Sequence, residues 1–235
     1  RRQRQMCIRD SYYPEFVEAA GFTKAKDMFA YWLDIGVGPT PSITKMVEWG
    51  DRNDKFRLRS IDRKKFDEEL RIVLDIFNDA WSDNWGYIPM TPAEIDKAAK
   101  DLKPLIKDFN AKIVEYEGEP AAFMVAIPDI NRWIHDLNGN LLPFNWIKLA
   151  YRFLRQKSEY TRVPLMGVRK SYQKTRAGGV MALMLIEKIR IAYTANGSKE
   201  AELSWILEDN HGMRDMLTAI GCKIYKTYRV YEKSL

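Results

Sequence analysis

Residues 178–194 (GGVMALMLIEKIRIAYT) predict a helix that is apolar on almost every side, and such a helix must be buried. Burying it requires a sheet or other helices around it, because each layer of a domain covers an apolar face of the next. The rest of the chain can supply them, since 46% of its 235 residues are apolar and 30% are charged, as in a globular domain. The first constraint on the fold is therefore a core built around this segment.

The elements predicted from residue 54 onward are a mixture of strands and helices. Apolar residues recur every three or four positions between Phe66 and Trp81, which predicts a helix, and other segments alternate as strands do. The predicted order is strand, helix, helix, strand, strand, strand, helix, strand, helix, strand, with a hairpin that turns at Glu117–Glu119. This order predicts an α/β (α+β) fold with a mixed, mostly antiparallel sheet and helices on both faces.

The segment in front of the buried helix, RKSYQKTRA (169–177), is basic and polar. The first amides of a helix have no intrahelical acceptor and carry partial positive charge. Small residues such as Gly178 and Gly179 let a ligand approach the backbone closely. The segment therefore suits a phosphate or pyrophosphate, although a solvated basic turn would look the same. The P-loop pattern G-x-x-x-x-G-K-[ST] and the dinucleotide pattern G-x-G-x-x-G are both absent.

This segment also resembles the acyl-CoA-binding motif of the GCN5-related N-acetyltransferase (GNAT) superfamily. That motif places Gln or Arg, two residues, Gly, one residue, and Gly or Ala between the fourth strand and the third helix. Gln173 fills the first position and Gly178 the last, whereas Arg176 stands where the middle glycine is usual.

A second GNAT motif follows the strand predicted at 200–207. The family has an Asn after this strand, then a short helix that ends in Gly-Phe. Here Asn210 follows the strand, Gly221 ends the helix, and Cys222 replaces the usual Phe. Both motifs lie within residues 55–233, and the resemblance implies an acyl-CoA-dependent N-acyltransferase with a GNAT-like fold.

The resemblance implies acetyl-CoA or a longer acyl-CoA as co-substrate, and no metal. Pyrophosphate would lie on the amides of residues 174–179, and an amide near Gly167 would stabilise the tetrahedral oxyanion. The cofactor-binding residues that it implies are Val168, Gln173, Lys174, Thr175, Arg176, Ala177, Gly178, Gly179 and Asn210.

An amine that attacks the thioester must lose a proton, so the reaction needs a base or a water chain. We predict Glu202 in this role and Glu115 as the second candidate; an exposed strand carboxylate is an equally suitable interpretation of Glu202. The tyrosine acid that is usual in the family falls at Leu217. We therefore predict that Tyr225 or Tyr228, on the last strand, protonates the leaving thiolate.

The chain contains an internal repeat. Residues 15–31 (EFVEAAGFTKAKDMFAY) align without a gap with residues 215–231 (DMLTAIGCKIYKTYRVY). The repeat predicts that residues 1–34 are the remnant of a preceding GNAT-like unit, 35–53 a linker and 54–235 the acyltransferase domain. The intact protein would then be a tandem pair, and its N-terminal unit would be a partner of this one. A chance likeness between two helix–strand segments is the alternative.

Residues at about 129–162 form an insertion that the GNAT fold does not require. Aromatic and leucine side chains mix with Lys and Arg between residues 133 and 157, which suits an anionic membrane surface, a lid over an apolar pocket, or an extra packing helix. Only two cysteines, Cys7 and Cys222, are present, which indicates a reducing compartment. We expect a cytoplasmic protein, peripheral to the inner membrane surface if the insertion binds lipid.

The net charge of +6 favours an anionic partner. Nucleic acid fits less well, because the charges are spread along the chain and no recognition motif is present, so none is expected. A non-catalytic CoA-binding module is the main alternative, since Arg176 and Leu217 depart from the family pattern. The acceptor is expected to be an amine, which the sequence does not identify.

Overall fold

The computed structural model describes residues 12–91, 93–94, 97, 103 and 106–234. Its strands are β1 (Thr23–Asp34), β2 (Phe56–Ser60), β3 (Ala111–Tyr116), β4 (Glu119–Pro128), β5 (Tyr160–Val168), β6 (Glu200–Leu207) and β7 (Lys223–Glu232). Its helices are α1 (12–19), α2 (Pro41–Arg52), α3 (Phe66–Trp81), α4 (Ile130–Ile134), α5 (Asn145–Arg155), α6 (Lys170–Gln173), α7 (Arg176–Ala195) and α8 (His211–Ala219).

The strands form one sheet in the order β2-β3-β4-β5-β6-β1-β7. Each neighbouring pair is antiparallel except β5 and β6, which run parallel. The predicted mixed, mostly antiparallel sheet is confirmed. Its parallel pair joins the strands on either side of the buried helix α7, as a strand–helix–strand unit requires.

Helices cover both faces of the sheet, as predicted. On one face α7 is the centre of the larger core, and Val180, Met181 and Leu185 have no exposed surface. On the other face α3 packs Val73 and Ile76 against Phe123. Each face of the sheet is therefore covered by an apolar layer, and the neighbouring strands β5 and β6 lie between the two layers.

The predicted domain boundaries are wrong in two places. Strand β1 lies between β6 and β7, so residues 23–34 belong to the same sheet as the rest of the chain. Residues 35–53 are not a linker, because α2 begins at Pro41 and buries Ile43 and Val47. The Gly- and Pro-rich composition marked only the loop before α2. Residues 1–11 of the predicted remnant lie outside the described residues.

The internal repeat has the same local structure twice. One copy is α1, Gly21 and β1; the other is α8, Gly221 and β7. Both glycines have a positive φ, +83° and +89°, which ends each helix and starts each strand. The two strands are antiparallel neighbours, with Thr23 opposite Glu232. The copies are therefore related by a local two-fold axis, and their origin in a tandem protein stays a prediction.

The insertion lies where the sequence predicts it, between the end of β4 and the start of β5. It contains α4, a 3-10 turn (His135–Leu137) and α5. None of the described helices combines the length and apolar composition that crossing a bilayer requires.

Candidate active site

A cleft opens between β5 and β6, because the two strands pair only as far as Val163 and Leu203. The next residue on β5 is Pro164, which has no N–H to continue the ladder. Beyond it the strands separate around a cavity of about 70 Å³. The lining comes from β5, β6, α8 and the end of α3, and includes Trp81, Asn84, Pro164, Met166, Ser204, Trp205, Asn210 and Leu217.

The alternation of hydrogen bonds along β5 decides which amides face this cleft. The N–H of Arg169 donates to the carbonyl of Ala121, on β4, at 2.9 Å. Every second residue of β5 therefore bonds to β4, and Gly167, opposite Phe123, is one of them. The N–H groups of Met166 and Val168 point the other way, into the cleft. The oxyanion donor predicted near Gly167 thus moves by one residue, to Met166 or Val168.

The carbonyls of the same two residues agree with this orientation. The carbonyl of Met166 accepts a hydrogen bond from Trp81 Nε1 at 3.1 Å. That of Val168 accepts from Gln173 Nε2 at 2.9 Å, and the same amide also donates to the carbonyl of Ala80 at 3.0 Å. Gln173 therefore ties the loop to β5 and α3, so its side chain organises the loop.

The start of α7 is a capped helix terminus with two open amides. The Oγ1 of Thr175 accepts from the N–H of Gly178 at 3.1 Å, and its carbonyl accepts from the N–H of Gly179 at 3.2 Å. Within the described residues, the N–H groups of Arg176 and Ala177 have no acceptor. They are available to an anion at the positive end of the helix.

The two glycines at this point have different reasons to be glycine. A Cβ at Gly178 would lie 2.0 Å from the carbonyl oxygen of Tyr172, so α6 and α7 can pack only if this residue has no side chain. A Cβ on Gly179 would have no atom within 4 Å. Gly178 is therefore required by packing, and Gly179 leaves the surface of the first turn open.

The positive charge of the loop is only partly free. Arg169 pairs with Asp75 at 2.5 Å and Lys170 with Asp83 at 2.6 Å, both carboxylates lying on or just after α3. Lys174 has no ion pair in the part of the chain that the structure describes. It is therefore the cation of this loop best able to reach a phosphate.

Two further side chains predicted to bind the cofactor lie near this terminus. The guanidinium of Arg176 stacks 5.0 Å from the ring of Trp49 on α2. Asn210 lines the cleft and caps α8, since its Oδ1 accepts from the N–H of Met213 at 3.1 Å. The cap occupies the oxygen and leaves the amide nitrogen of Asn210 for a ligand.

Glu202 lies on β6, on the face of the sheet away from α7. Its carboxylate accepts hydrogen bonds from Arg162, Ser204 and Tyr225. Burial raises the pKa of this carboxyl, but the three hydrogen bonds lower it by more, so its pKa lies below the ordinary value. Glu202 does not line the cleft itself, but Ser204 does, and its Oγ donates to Glu202 at 2.8 Å.

The two predicted tyrosine acids are placed differently. Tyr225 donates its hydroxyl to Glu202, and burial together with this bond raises the pKa of Tyr225 well above its usual range. It is therefore a weaker acid than a free phenol. Tyr228 packs its ring against Trp205, which lines the cleft, with 5.7 Å between ring centroids. Tyr228 is the better placed of the two.

The second candidate base, Glu115, is away from the cleft. It lies on β3 and accepts from Arg59 Nε at 2.6 Å, in a cluster that also contains Glu69. Both carboxylates are held by an ion pair, but only Glu202 is joined to the cleft, through the hydroxyl of Ser204. In the described residues we find no group of three His, Cys, Asp or Glu side chains that could hold a metal ion.

Two solved structures show the same fold as this chain. A GCN5-related N-acetyltransferase from Sphaerobacter thermophilus superposes with a TM-score of 0.61 over 92% of this chain and 54% of its own, at 13% identity. A tandem GNAT protein from the clavulanic acid biosynthesis pathway gives a TM-score of 0.53 over 94% of this chain and 58% of its own, also at 13% identity.

The chain has the fold of the GCN5-related N-acetyltransferases. The GNAT-like fold that the two sequence motifs imply is thereby confirmed. The cleft lies on β5, the strand that precedes the first motif, and Asn210 of the second motif lines it.

No family model matches the sequence. Two curated relatives do. "Protein YghO" of Escherichia coli (strain K12) is 40% identical over 225 residues, covering 95% of this chain, and "Bacterial ceramide synthase" of Caulobacter vibrioides (strain NA1000 / CB15N) is 39% identical over 219 residues, covering 93%. The chain spans 57% of the length of each relative.

Several residues that line this cleft were missed from the sequence. Trp81 and Asn84 come from the end of α3 and the loop after it, more than 70 residues before β5, and no local pattern links them to the cleft. Ser204 and Trp205 lie on a predicted strand but carry no motif. Pro164 was the one available signal, because a proline inside a central strand marks a break in the ladder.

Proposed function

We propose that this chain is part of an acyl-CoA-dependent N-acyltransferase that acylates the amine of a long-chain amino alcohol. The observation that carries the proposal is the cleft between β5 and β6. Strand β5 leads from this cleft through the loop to the start of α7, where the amides of Arg176 and Ala177 have no acceptor among the described residues. A pyrophosphate at those amides would direct the rest of CoA toward the separated strands.

The choice of acceptor rests on the relative named a ceramide synthase, which is 39% identical over 93% of this chain. A ceramide is the N-acyl derivative of a long-chain amino alcohol, so its synthesis transfers an acyl group to an amine. The cleft suits such an acceptor, because its walls include Trp81, Trp205 and Leu217, and no charged side chain lines it among the described residues.

The mechanism follows from the groups around the cleft. The neutral amine attacks the thioester carbon, and the N–H of Met166 or Val168 donates to the oxyanion that forms. The C–S bond then breaks, and the acyl group remains on nitrogen. CoA leaves as a thiolate, which takes a proton from solvent or from Tyr228, and the amine nitrogen loses one proton.

Ser204 links the cleft to the base. The amine is outside the reach of Glu202, but the hydroxyl of Ser204 lies at the cleft and already donates to that carboxylate at 2.8 Å. A proton from the amine can therefore move to Ser204 Oγ while the hydroxyl proton moves to Glu202. Arg162 and Tyr225 hold the carboxylate in the position that receives it.

The insertion supplies a surface for the membrane in which a long-chain amino alcohol would reside. Helix α5 has no buried residue, and the side chains of Phe144, Ile147, Tyr151 and Leu154 form an exposed stripe at helical spacing. We propose a cytoplasmic protein that works at the inner membrane surface, with this stripe in the headgroup region.

Two cations of the insertion, which were expected to face an anionic membrane, form ion pairs within the insertion. Lys148 and Arg152 both bind Asp136, at 2.5 Å and 2.7 Å, and so hold α5 against the preceding turn. Trp133, expected at the surface, is 4% exposed and packs against Phe153. The apolar stripe, rather than these residues, carries the proposal of membrane contact.

Release of free CoA thiol from a fatty acyl-CoA, with and without sphinganine as acceptor, tests the proposal. We expect release that depends on the amine, and a strong decrease in Ser204→Ala with Ser204→Thr retaining much of the rate. Binding of acyl-CoA without any amine-dependent release would instead indicate a non-catalytic CoA-binding module.

A further inference from the structure

A second cavity lies between α3 and the face of the sheet that α3 covers. It has a volume of about 160 Å³ and is lined by apolar side chains of α3, β3, β4 and β5, among them Val73, Phe77, Ala111, Val125 and Leu165. It belongs to the smaller apolar core and not to the CoA cleft described above.

The lining of this cavity is almost entirely apolar. The charged residue at its wall, Glu69, is 7% exposed and accepts two hydrogen bonds from Arg59 NH1, at 2.8 and 2.7 Å. Its carboxylate is therefore satisfied and turned to Arg59, and the remaining lining described by the structure offers no group that could bind water. An apolar space of this size favours hydrocarbon over water.

The cavity and the CoA cleft are neighbours along two elements. On β5, Pro164 and Met166 line the cleft and Leu165, between them, lines the cavity. On α3, Trp81 lines the cleft, and Phe77, one turn earlier, lines the cavity. The Phe77 and Trp81 rings lie against each other with 4.8 Å between centroids. This ring pair is the partition between the two spaces.

We propose that the cavity under α3 binds the distal part of a long acyl chain, which enters from the cleft past Phe77 and Trp81. The inference rests on the proposed function, because it places the acyl chain of the co-substrate named there. A thioester at the Met166 or Val168 amide lies on β5, and its chain would pass the Phe77–Trp81 pair to reach the cavity at Leu165.

The size of the cavity limits how much chain it can hold. A dry cavity of about 150 Å³ accommodates benzene, so a space of this size holds about six carbons. Each methylene that leaves water for such a space should tighten binding about fourfold. Affinity should therefore rise with chain length until the cavity is full and then level off.

The test is a calorimetric titration of the purified protein with octanoyl-, dodecanoyl- and hexadecanoyl-CoA. CoA itself is the reference ligand. Filling the cavity from the helix side with Val73→Phe, or from the sheet side with Ala111→Leu, should weaken binding of hexadecanoyl-CoA at least tenfold. Binding of CoA and octanoyl-CoA should stay within about twofold. The enlarging variant Val73→Ala should shift the preference toward longer chains.

The outcomes separate this inference from the proposed function. If no acyl-CoA and no CoA binds, the proposed function fails. If all the acyl-CoAs bind but affinity is independent of chain length, or the filling variants weaken all of them equally, the cavity inference is overturned while the proposed function stands. Should a filling variant fail to fold, Val73→Ala still decides, because an unchanged chain-length profile in that variant contradicts the inference.

Discussion

At the scale of single residues, the hydrogen bonds to Glu202 determine how its carboxylate can act. Three side chains donate to it and lower its pKa, so it is ionised throughout the neutral range. A lowered pKa makes it a weak base on its own. The adjacent donors stabilise the carboxylate and not the carboxylic acid, so Glu202 can hold a proton that arrives through Ser204 only transiently before passing it on.

Glu202→Gln should lower turnover about a hundredfold or more at neutral pH, with little change in affinity for CoA. Because the pKa of Glu202 is lowered, its own titration lies below the ordinary carboxylate range. The decrease should therefore be nearly constant between about pH 6 and 9. Rate measurements across this range check it. An unchanged rate would assign the proton transfer to water.

Asp27 tests whether β1 is held in the sheet as described. It accepts hydrogen bonds from Arg229, its partner on β7, at 2.8 and 3.0 Å, and these lower its pKa to about 2. A lowered pKa stabilises the fold above the unfolded-state value of about 3.9, and this stabilisation is lost as pH falls through about 2.

Asp27→Asn should therefore lower the free energy of unfolding by about 2 kcal/mol at pH 7, and the difference from the parent should shrink as pH falls from about 4 toward 2. Denaturation of both proteins at pH 7 and between about pH 4 and 2 measures this difference in the free energy of unfolding. Asp54→Asn, at an exposed aspartate, is the matched control and should change little. Equal stability of Asp27→Asn and the parent at pH 7 would mean that this pair does not hold β1 to β7.

At the scale of elements, the start of α7 and the surface of α5 each allow a direct test. For α7, Gly178 is unsuitable, because any side chain there meets the backbone of α6. Gly179→Asp has the necessary space and would place a carboxylate on the first turn. It should weaken CoA binding about tenfold or more, because it repels phosphate at the helix terminus.

Gly179→Ala is the control for that change, since it adds a side chain without charge, and it should bind CoA nearly as the parent does. Isothermal titration with CoA compares the three proteins. Equal binding by Gly179→Asp and Gly179→Ala would show that pyrophosphate does not lie at this terminus.

For α5, the exposed stripe should bind anionic vesicles. Ile147→Ser together with Leu154→Ser removes side chains that are 50% and 77% exposed, so the fold should be unaffected. Co-sedimentation with phosphatidylglycerol vesicles should decrease at least tenfold, because apolar area at the boundary supplies the binding energy. Val37→Ser, at a side chain 80% exposed outside the insertion, should bind as the parent does. Vesicle binding that is equal in all three proteins, or absent in the parent, contradicts the membrane proposal.

What the sequence predicted depended on how local each signal was. Helices α3, α7 and α8 and the β3–β4 hairpin follow from periodicity and turn residues within a few positions, and they lie where predicted. The place of β1 between β6 and β7 depends on pairing across about 200 residues, which periodicity does not encode. Helix α2 was missed because the linker predicted from the glycines and prolines before it was extended too far along the chain.

The candidate site divides in the same way. The loop residues 173–179 and Asn210 could be predicted because each motif is continuous in sequence, and their part in binding CoA stays a prediction. The cleft itself was not, since it needs the break at Pro164, Trp81 from α3 and Ser204 from β6. The choice between Tyr225 and Tyr228 required the structure, because only there is the hydroxyl of Tyr225 seen to donate to Glu202.

At the scale of the whole molecule, the chain is a GNAT-fold sheet whose central parallel strands, β5 and β6, separate at a proline in β5. A capped helix terminus follows β5, and α3 supplies an apolar wall of the cleft. The chain spans 57% of the length of its curated relatives, so those relatives contain sequence beyond the matched part. The β1–β7 pair joins the two copies of the repeat within one sheet, and a tandem arrangement stays a prediction.

The measurement that tests the central claim most directly is mass spectrometry of the product formed from hexadecanoyl-CoA and sphinganine. We predict N-hexadecanoyl-sphinganine and an equal amount of free CoA, with the parent protein and Ser204→Thr, and at least tenfold less product with Ser204→Ala and with Glu202→Gln. A protein that binds hexadecanoyl-CoA tightly but yields no N-acyl product would contradict the account.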